Sequence, residues 1–108
     1  MSEEAAREYY RAIDEGDYEA LRAVLAEGFR QERGDRTLDG REEFVRFVRH
    51  DRPQTDTTHV VDAVYERAGG VAVEGRLLRA DGSEWFAFVD AFDVEDERLT
   101  DLRTYTRS

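Results

Sequence analysis

Apolar residues in the first half of the chain recur at the three- and four-residue spacing of α-helices. This spacing predicts helices over residues 3–14, about 18–26 and about 41–50. Gly16 suits the C-terminus of the first helix, and Asp17 is able to cap the second. The apolar positions of the three helices are Ala5, Ala6, Tyr9 and Ile13, then Tyr18, Leu21, Val24 and Leu25, then Phe44, Phe47 and Val48.

The segment between the second and third helices carries signals for a strand, a turn and a helix cap. Residues 29–33 favour a short strand, which a turn at residues 34–35 closes. Asp39 is followed three residues later by Glu42, which is the spacing of a capping box. We therefore expect Asp39 to begin the third helix.

Strand signals dominate the second half of the chain. The predicted strands run over residues 57–67, 71–79, 84–94 and 99–107. Asp81-Gly82 is the strongest short hairpin signal in the chain. Because helices come first, strands follow and alternating βαβ units are missing, the predicted fold class is α+β with an antiparallel or mixed sheet.

The turns also predict which residues face each other across the strands. A two-residue loop at Asp81-Gly82 and a hairpin centred on residues 96–97 set two registers, and a slip of one residue would move every side chain to the opposite face. The first register pairs Arg79 with Glu84, Leu77 with Phe86, Gly75 with Phe88 and Val73 with Asp90. The second pairs Val94 with Leu99, Phe92 with Asp101, Asp90 with Arg103 and Phe88 with Tyr105. In the preceding hairpin, apolar matching puts Val61 opposite Leu77.

Strand periodicity places Asp90 among aromatic rings. One face of its strand carries Phe86, Phe88, Asp90, Phe92 and Val94, and the other carries Trp85, Ala87, Val89 and Ala91. Because an ionised carboxylate buried alone is very unfavourable, Asp90 must find a cation, accept hydrogen bonds or hold its proton. If Arg103 pairs with Asp90, the carboxylate stays ionised and its pKa falls. If Arg103 points away, desolvation raises the pKa of Asp90, and the protonated acid could donate a hydrogen bond inside a pocket.

Charge narrows the classes of partner. The 108 residues include 26 acidic and 16 basic ones, a net charge of −10, and every basic residue is Arg. Such a surface repels phosphate groups, so we expect neither nucleic acid nor a membrane as a partner. Many carboxylates without Lys favour a salt-rich cytosol such as that of a haloarchaeon, although a GC-rich genome encoding an ordinary acidic protein gives the same composition. No signal peptide is visible at the acidic N-terminus, which predicts a cytoplasmic location.

Four motifs, by their order and spacing, carry a resemblance to a known family. They are Tyr9-Tyr10-Arg11-Ala12-Ile13-Asp14-Glu15-Gly16-Asp17, Asp39-Gly40-Arg41-Glu42-Glu43-Phe44, Phe88-Val89-Asp90-Ala91-Phe92 and Arg103-Thr104-Tyr105. Through them the chain resembles the nuclear-transport-factor-2-like superfamily, in its SnoaL-like branch. The resemblance implies one domain over residues 1–108, a cone of three N-terminal helices packed in a strongly curved mixed or antiparallel sheet (a cystatin-like α+β barrel). It also implies a small-molecule pocket at the wide end of the cone and dimers formed through the sheets.

Activities in this superfamily include ketosteroid isomerase, polyketide cyclase, epoxide hydrolase and dehydratase, and the fold does not choose among them. The resemblance places Tyr9 at the position of the ketosteroid isomerase oxyanion-hole tyrosine and Asp90 at that of its protonated aspartic acid. Arg33 occupies the position of the general-base aspartate, so proton abstraction beside a ketone lacks its usual group. Asp90, Asp101 and Arg103 supply the residue types of an epoxide hydrolase, although their order in the last strand departs from that pattern.

Metal and cofactor chemistry has little support in the sequence. The chain has two His and no Cys, without a metal-binding spacing, so we expect no metal and no cofactor. His50 ends a helix and His59 opens a strand. His59 becomes a partner of Asp90 in an acid/base pair only if its face of the strand turns inward.

We predict a SnoaL-like protein whose pocket takes a small apolar or carbonyl-bearing compound, with acid/base isomerase, cyclase or hydrolase chemistry. The predicted catalytic residues are Asp90, Tyr9 and Arg103. The predicted pocket residues are Phe44, Phe47, Phe86, Phe88, Phe92 and Tyr105. The alternative is a non-catalytic ligand-binding or interaction module, and in either case we expect a homodimer through the sheet face that bears Trp85.

Overall fold

The computed structural model describes residues 2–52 and 54–107. Its helices are α1 (Ser2–Glu15), α2 (Tyr18–Val24) and α3 (Arg41–Arg46), and a π-helical turn (Phe47–Asp51) extends α3. Its strands are β1 (Leu25–Glu32), β2 (Thr37–Asp39), β3 (Thr58–Arg67), β4 (Gly70–Leu78), β5 (Glu84–Glu95) and β6 (Arg98–Arg107). Over the described residues the strands form one curved, unclosed sheet in the order β2-β1-β6-β5-β4-β3, and β1 runs parallel to β6. The α+β class predicted from the sequence is confirmed.

The helices pack their apolar sides against the sheet. The buried stripe of α1 consists of Ala5, Ala6, Tyr9, Tyr10, Ala12 and Ile13. Asp17 caps α2 as predicted, because its side chain accepts the N–H of Ala20 at 3.2 Å. α2 ends at Val24, earlier than predicted, since Leu25 is already extended and pairs with Leu99 of β6.

The first two strands differ from the prediction. β1 begins at Leu25, ahead of the predicted range 29–33, because its pairing with β6 supplies backbone partners that the local sequence does not reveal. β2 was not predicted, since three residues are too few to show a period-two pattern. The two strands form an antiparallel hairpin in which Gln31 faces Leu38.

The start of α3 also differs from the prediction. Gly40, with φ 101°, is the N-cap residue. The N–H of Asp39 donates to Glu43 Oε2 at 3.1 Å, whereas Gly40 has no side chain to supply the other contact of a capping box. The predicted capping box was therefore wrong. The α-helix ends at Arg46, and the wider π-helical turn completes the segment that was predicted as one helix.

The β4–β5 hairpin has the predicted register over most of its length. The confirmed pairs are Leu77–Phe86, Gly75–Phe88 and Val73–Asp90. Near the turn, Leu78 rather than Arg79 faces Glu84, because Trp85 forms a bulge without a partner on β4. In the β3–β4 hairpin the predicted pairing of Val61 with Leu77 was wrong, since Val61 faces Gly75 and His59 faces Leu77. There a bulge between Val61 and Ala63 shifts the register.

The β5–β6 hairpin turns at the predicted place and then leaves the predicted register. Its turn residues Asp96 and Glu97 have φ 52° and 64°, and Val94 faces Leu99 as predicted. Thr100 then forms a bulge, which shifts all later pairs by one residue. The observed pairs are Phe92–Leu102, Asp90–Thr104 and Phe88–Thr106, in place of the predicted partners Asp101, Arg103 and Tyr105. Those predictions were wrong because the extra residue turns the side chains of β6 to opposite faces.

The core lies between the helices and the inner face of the sheet. Its largest fully buried side chains include Phe29, Phe44, Phe92, Leu21, Leu25, Leu99 and Leu102. Among the helices within residues 2–52 and 54–107, none combines the length and apolar character needed to span a membrane.

Candidate functional site

A cavity of about 200 Å³ lies between α1, the end of α3 and the inner face of the sheet. Its wall is mainly aromatic and includes Tyr9, Phe44, Phe47, Trp85, Phe86 and Phe88. Its polar lining includes Asp90, His59, Arg33 and Arg52. Because a cavity of about 150 Å³ is enough to hold benzene, this cavity has room for a molecule the size of a substituted benzene ring.

Asp90 is buried beside this cavity, and both of its carboxylate oxygens accept hydrogen bonds. The hydroxyl of Tyr10 donates to Oδ2 at 2.6 Å, and the hydroxyl of Thr104 donates to Oδ1 at 2.7 Å. Gln31 Nε2 donates in turn to Thr104 Oγ1 at 3.0 Å. Because Thr104 accepts from Gln31, its own proton is left to point at Asp90. The network is therefore arranged for an ionised carboxylate.

Burial and hydrogen bonding act on the pKa of Asp90 in opposite directions. Desolvation raises the pKa and is the larger effect. The hydrogen bonds from Tyr10 and Thr104 lower it, and so do the charges of His59 and Arg33. The result is a pKa above the ordinary value of an aspartic acid. Such a carboxylate is a stronger proton acceptor than one on the protein surface.

His59 lines the same cavity and is held in place by Asp14 of α1. Its Nδ1 lies 2.6 Å from Asp14 Oδ1, and its backbone N–H donates to Asp14 Oδ2 at 2.9 Å. A carboxylate at Nδ1 favours the tautomer with its proton on that nitrogen. The other ring nitrogen, Nε2, is then the one that can exchange a proton with a bound molecule.

The adjacent tyrosines of α1 have different surroundings. The hydroxyl of Tyr10 binds Asp90, and its ring lies 4.9 Å from the imidazole of His59, between the two ionisable groups. Tyr9 lines the cavity itself. Burial raises the pKa of Tyr9 well above its usual value, and the nearby charge of Asp90 adds to this effect. The phenol therefore keeps its proton at neutral pH and can donate it in a hydrogen bond.

Comparison with known proteins assigns the family. Residues 6–102 of the chain match the SnoaL-like domain family. The chain belongs to this family. The nuclear-transport-factor-2-like resemblance seen in the sequence is thereby confirmed.

Solved structures agree with this assignment. An NTF2-like protein of unknown function from Cytophaga hutchinsonii ATCC 33406 has a TM-score of 0.84 at 17% identity, over 99% of this chain and 90% of that one. A candidate ketosteroid isomerase from Kribbella flavida DSM 17836 has a TM-score of 0.84 at 23% identity, over 96% and 76%. A LEH-like epoxide hydrolase from M. tuberculosis has a TM-score of 0.81 at 18% identity, over 96% and 80%. At these identities the likeness shows the fold alone. No curated protein sequence matches the chain.

The aromatic residues predicted for the pocket of this SnoaL-like domain divide into two groups. Those that line the cavity are Phe44, Phe47, Phe86 and Phe88. Phe92 belongs instead to the core, where it is 1% exposed and packs against the ring of Tyr9 at 5.2 Å. It lies one step further along the inner face of β5 than Asp90, beneath α1.

Arg103 and Tyr105 lie on the outer face of the sheet, and the prediction that they close the pocket was wrong. Arg103 Nη1 is 3.5 Å from Asp93 Oδ2, and Tyr105 is 59% exposed. Asp101 shares this outer face, so the epoxide-hydrolase constellation of Asp90, Asp101 and Arg103 does not assemble. The bulge in β6 is the cause, because every side chain that follows it in the strand points to the opposite face of the sheet from the one predicted.

Trp85 lines the cavity, although the period-two pattern of β5 predicted it on the outer face. The bulge at this residue explains the difference, since an extra residue interrupts the alternation of side chains. The guanidinium of Arg79 lies 5.7 Å from the ring centroid of Trp85. The apolar outer face therefore lacks the tryptophan that the sequence assigned to it.

Several residues of the candidate site escaped the sequence analysis. Tyr10 and Asp14 are four residues apart, so they lie on the same side of α1, and this spacing was the available signal. Thr104 and Gln31 gave no signal, because both depend on the register of β6. His59 was left open, and the structure turns it inward.

Proposed function

We propose that this SnoaL-like domain is an acid/base enzyme that moves a proton on a small, carbonyl-bearing apolar molecule bound in the cavity. Asp90 is the proposed general base, and His59 is the second acid/base group. The proposal rests above all on the carboxylate of Asp90, which is buried, doubly hydrogen-bonded and placed against an aromatic cavity.

A general base must stay in place while the substrate approaches. The hydroxyls of Tyr10 and Thr104 hold the carboxylate of Asp90 from two sides. Each carboxylate oxygen has a second lone pair, so Asp90 can still accept a proton from the substrate. In the proposed step a C–H bond next to the carbonyl breaks and its proton moves to Asp90. The electron pair of that bond forms a carbon–carbon double bond, and the π electrons of the carbonyl move onto its oxygen.

The developing oxygen anion needs a hydrogen-bond donor. Tyr9 is suited to this role, because it lines the cavity and its phenol remains protonated. The proton then returns to the substrate from Asp90, either directly or after transfer to Nε2 of His59. This assignment departs from ketosteroid isomerase, where the residue at the position of Asp90 is an acid, because Arg33 replaces the base of that family.

Proton exchange into ketones tests the proposal directly. The protein is incubated in D₂O with cyclohexanone, 2-cyclohexenone and acetophenone, and loss of the α-proton signals is followed by NMR. We expect exchange above the buffer rate, reduced about a hundredfold or more by Asp90→Asn. The control is Asp101→Asn, which removes a carboxylate on the outer face and should exchange at the wild-type rate. Exchange that is absent in the wild type, or unchanged by Asp90→Asn, would contradict the proposal.

A second proposal concerns an interaction surface. The exposed large apolar and aromatic side chains within the described residues are Tyr65, Val89 and Tyr105. Val89 lies directly opposite Tyr105, and the hydroxyl of Tyr65 donates to Glu74, the residue opposite Val89 on β4. We propose that a second copy of the chain covers this face, which is the outer sheet face expected from the sequence but without Trp85.

Light scattering tests the dimer. We expect a dimer mass for the wild type at micromolar concentration and a monomer mass for Val89→Asp, which places a charge at the centre of the face. Glu27→Asp, an exposed change on β1, is the control and should remain dimeric. A wild type that stays monomeric across concentrations would remove this proposal. The cytoplasmic location expected from the sequence remains a prediction.

A further inference from the structure

The charges that line the cavity oppose the charge of the chain. The chain as a whole carries −10, with 26 acidic and 16 basic residues. Among the described residues that line the cavity, Asp90 is the one acidic side chain, while Arg33 and Arg52 contribute two positive charges. Such a reversal inside an acidic protein concentrates positive potential where a ligand would bind.

Both guanidinium groups have capacity left for a ligand. Arg33 Nε lies 3.6 Å from Asp35 Oδ1, but the Asp35 side chain is 66% exposed, so this ion pair is weak and solvent-screened. Arg52 donates through Nε to the backbone carbonyl of Val48 at 2.8 Å. That bond positions the side chain, and within the described residues it leaves Nη1 and Nη2 without hydrogen-bond partners.

The two arginines act on one region of the cavity. Burial and the charge of Asp90 raise the pKa of Tyr9, and the charges of Arg33 and Arg52 both oppose that effect. Both guanidinium groups therefore lie within electrostatic reach of the Tyr9 phenol. The charge of Arg33 also lowers the pKa of Asp90, and Arg33, Asp90 and Tyr9 all line the same cavity.

Two further arginines surround the aromatic wall. The guanidinium of Arg36 lies 4.7 Å from the ring centroid of Phe47, and that of Arg79 lies 5.7 Å from the ring centroid of Trp85. Both rings line the cavity. Arg36 and Arg79 do not line the cavity themselves, but each places a positive charge against one of its aromatic rings.

We propose that the cavity takes a small carboxylic acid in its anionic form. Arg33 and Arg52 bind the carboxylate, whose planar shape matches the guanidinium fork. The aromatic walls enclose the apolar part of the molecule, which fits a body about the size of a benzene ring. The orientation of the reacting carbon toward Asp90 rests on the function proposed above, whereas binding of the anion does not.

A pair of neutral and charged probes tests the inference. Phenylacetate and phenylacetamide have nearly the same shape and differ by one negative charge. Trp85 is the only tryptophan of the chain and lines the cavity, so its fluorescence reports occupancy. We expect phenylacetate to bind at least about tenfold more tightly than phenylacetamide, since hydrogen bonds to charged groups are stronger than neutral ones.

Two double variants separate local recognition from net charge. Arg33→Gln combined with Arg52→Gln should weaken phenylacetate binding about tenfold or more and leave phenylacetamide binding within about twofold. Arg30→Gln combined with Arg46→Gln removes the same two charges from exposed positions outside the cavity and should change neither affinity. All titrations use one salt concentration, at which the circular dichroism spectra of the variants agree with that of the wild type. If the double variant in the cavity fails to fold, the single variants Arg33→Gln and Arg52→Gln are used in its place.

The possible outcomes distinguish this inference from the proposed enzyme. Equal affinity of the wild type for both probes would overturn the inference, while ketone exchange dependent on Asp90 would keep the enzyme proposal intact. The inference would also be overturned if phenylacetate changed neither the Trp85 fluorescence nor its own NMR signals. A preference for phenylacetate that survives in the Arg33→Gln, Arg52→Gln variant would show that other groups bind the anion, and would overturn the roles assigned to these arginines.

Discussion

The hydroxyl of Tyr10 in α1 lies 2.6 Å from Oδ2 of Asp90 in β5, and this hydrogen bond joins residues 80 positions apart. It ties the first helix to the inner face of the sheet at the bottom of the cavity. Because the bond favours the ionised carboxylate, it lowers the pKa of Asp90 against the larger effect of burial.

Tyr10→Phe should therefore raise the pKa of Asp90 further. If Asp90 is the base, the acidic limb of the pH–rate profile for ketone exchange moves to higher pH, because more alkaline solution is needed to ionise it. The loss of a buried hydrogen bond to a charged group should also lower the free energy of unfolding by about 1–3 kcal/mol. Tyr65→Phe is the matched control, since it removes a phenol that donates to Glu74 on the outer face at 3.0 Å. An unshifted acidic limb would contradict the role of Tyr10.

Asp90→Asn should remove the pH dependence that Asp90 gives to the stability of the protein. Burial raises the folded pKa of Asp90 above its unfolded value, so the folded state binds the proton more tightly. This contribution is fully present below the unfolded pKa and is lost as the pH rises through the folded pKa. Urea unfolding from pH 3 to pH 8 should show that this contribution to the free energy of unfolding falls in the wild type. The free energy of unfolding of Asp90→Asn should depend less on pH. The control Asp101→Asn should retain the slope, and an Asp90→Asn variant with the same slope as the wild type would refute this account.

Asp14→Asn should impair catalysis by releasing the imidazole of His59. The carboxylate of Asp14 contacts Nδ1 at 2.6 Å, and its loss should lower the exchange rate by at least about tenfold. Nitrogen NMR of the His59 ring reports its tautomer and so tests positioning directly. In Asp14→Asn the proton of the neutral ring should no longer be confined to Nδ1. The chain has two histidines, so His50→Gln assigns the His59 signals. Asp56→Asn, an exposed change near the start of β3, should leave both readouts unchanged, and an unaltered tautomer in Asp14→Asn would contradict the role of Asp14.

Gly75→Ala should destabilise the sheet beside the cavity. A Cβ at this position would lie 2.3 Å from the carbonyl oxygen of Val60 and 2.8 Å from Cζ of Phe88. Because one neighbour is backbone and the other forms the cavity wall, we expect a loss of about 1–3 kcal/mol in the free energy of unfolding. Gly28→Ala is the control, since a Cβ there meets nothing within 4 Å. Equal stability of the two variants in urea would show that the β3–β4 pairing adjusts without cost.

Salt should stabilise this chain. Its surface ion pairs weaken as salt rises, but 26 carboxylates face only 16 arginines, so repulsion among the carboxylates outweighs the attraction that salt removes. Raising KCl from 0.1 M to 2 M should increase the melting temperature by at least about 5 °C. Sucrose at the same osmolality is the control for excluded-solvent effects. A melting temperature that does not respond to KCl would favour an ordinary acidic protein over one adapted to a salt-rich cytosol.

Much of the fold could be predicted because its signals are local. The apolar stripe of α1, the cap at Asp17 and the Asp81-Gly82 hairpin each depend on residues within a few positions of one another. The inward position of Asp90 followed from the same register, which the pairing of Val73 with Asp90 confirms. Short-range pattern was sufficient where no bulge interrupted the strand pair after its turn, as between Leu77 and Val73 of β4.

The partners of Asp90 could not be predicted in the same way. No feature of the local sequence marks Thr100 as a bulge. Because of this bulge, Thr104 rather than Arg103 faces Asp90. The bulge at Trp85 similarly moves a ring from the outer face to the cavity wall. No local sequence pattern marks either bulge.

By itself the sequence determined the α+β class, the helices, most of the strands and a carboxylate at a buried strand position, because hydrophobic periodicity and turn residues act over short distances. Tertiary structure alone decided that Tyr10, Thr104 and His59 surround that carboxylate and that Arg103 does not. The physical reason is that side-chain facing in a sheet reverses with every added residue, so a single bulge decides which groups meet.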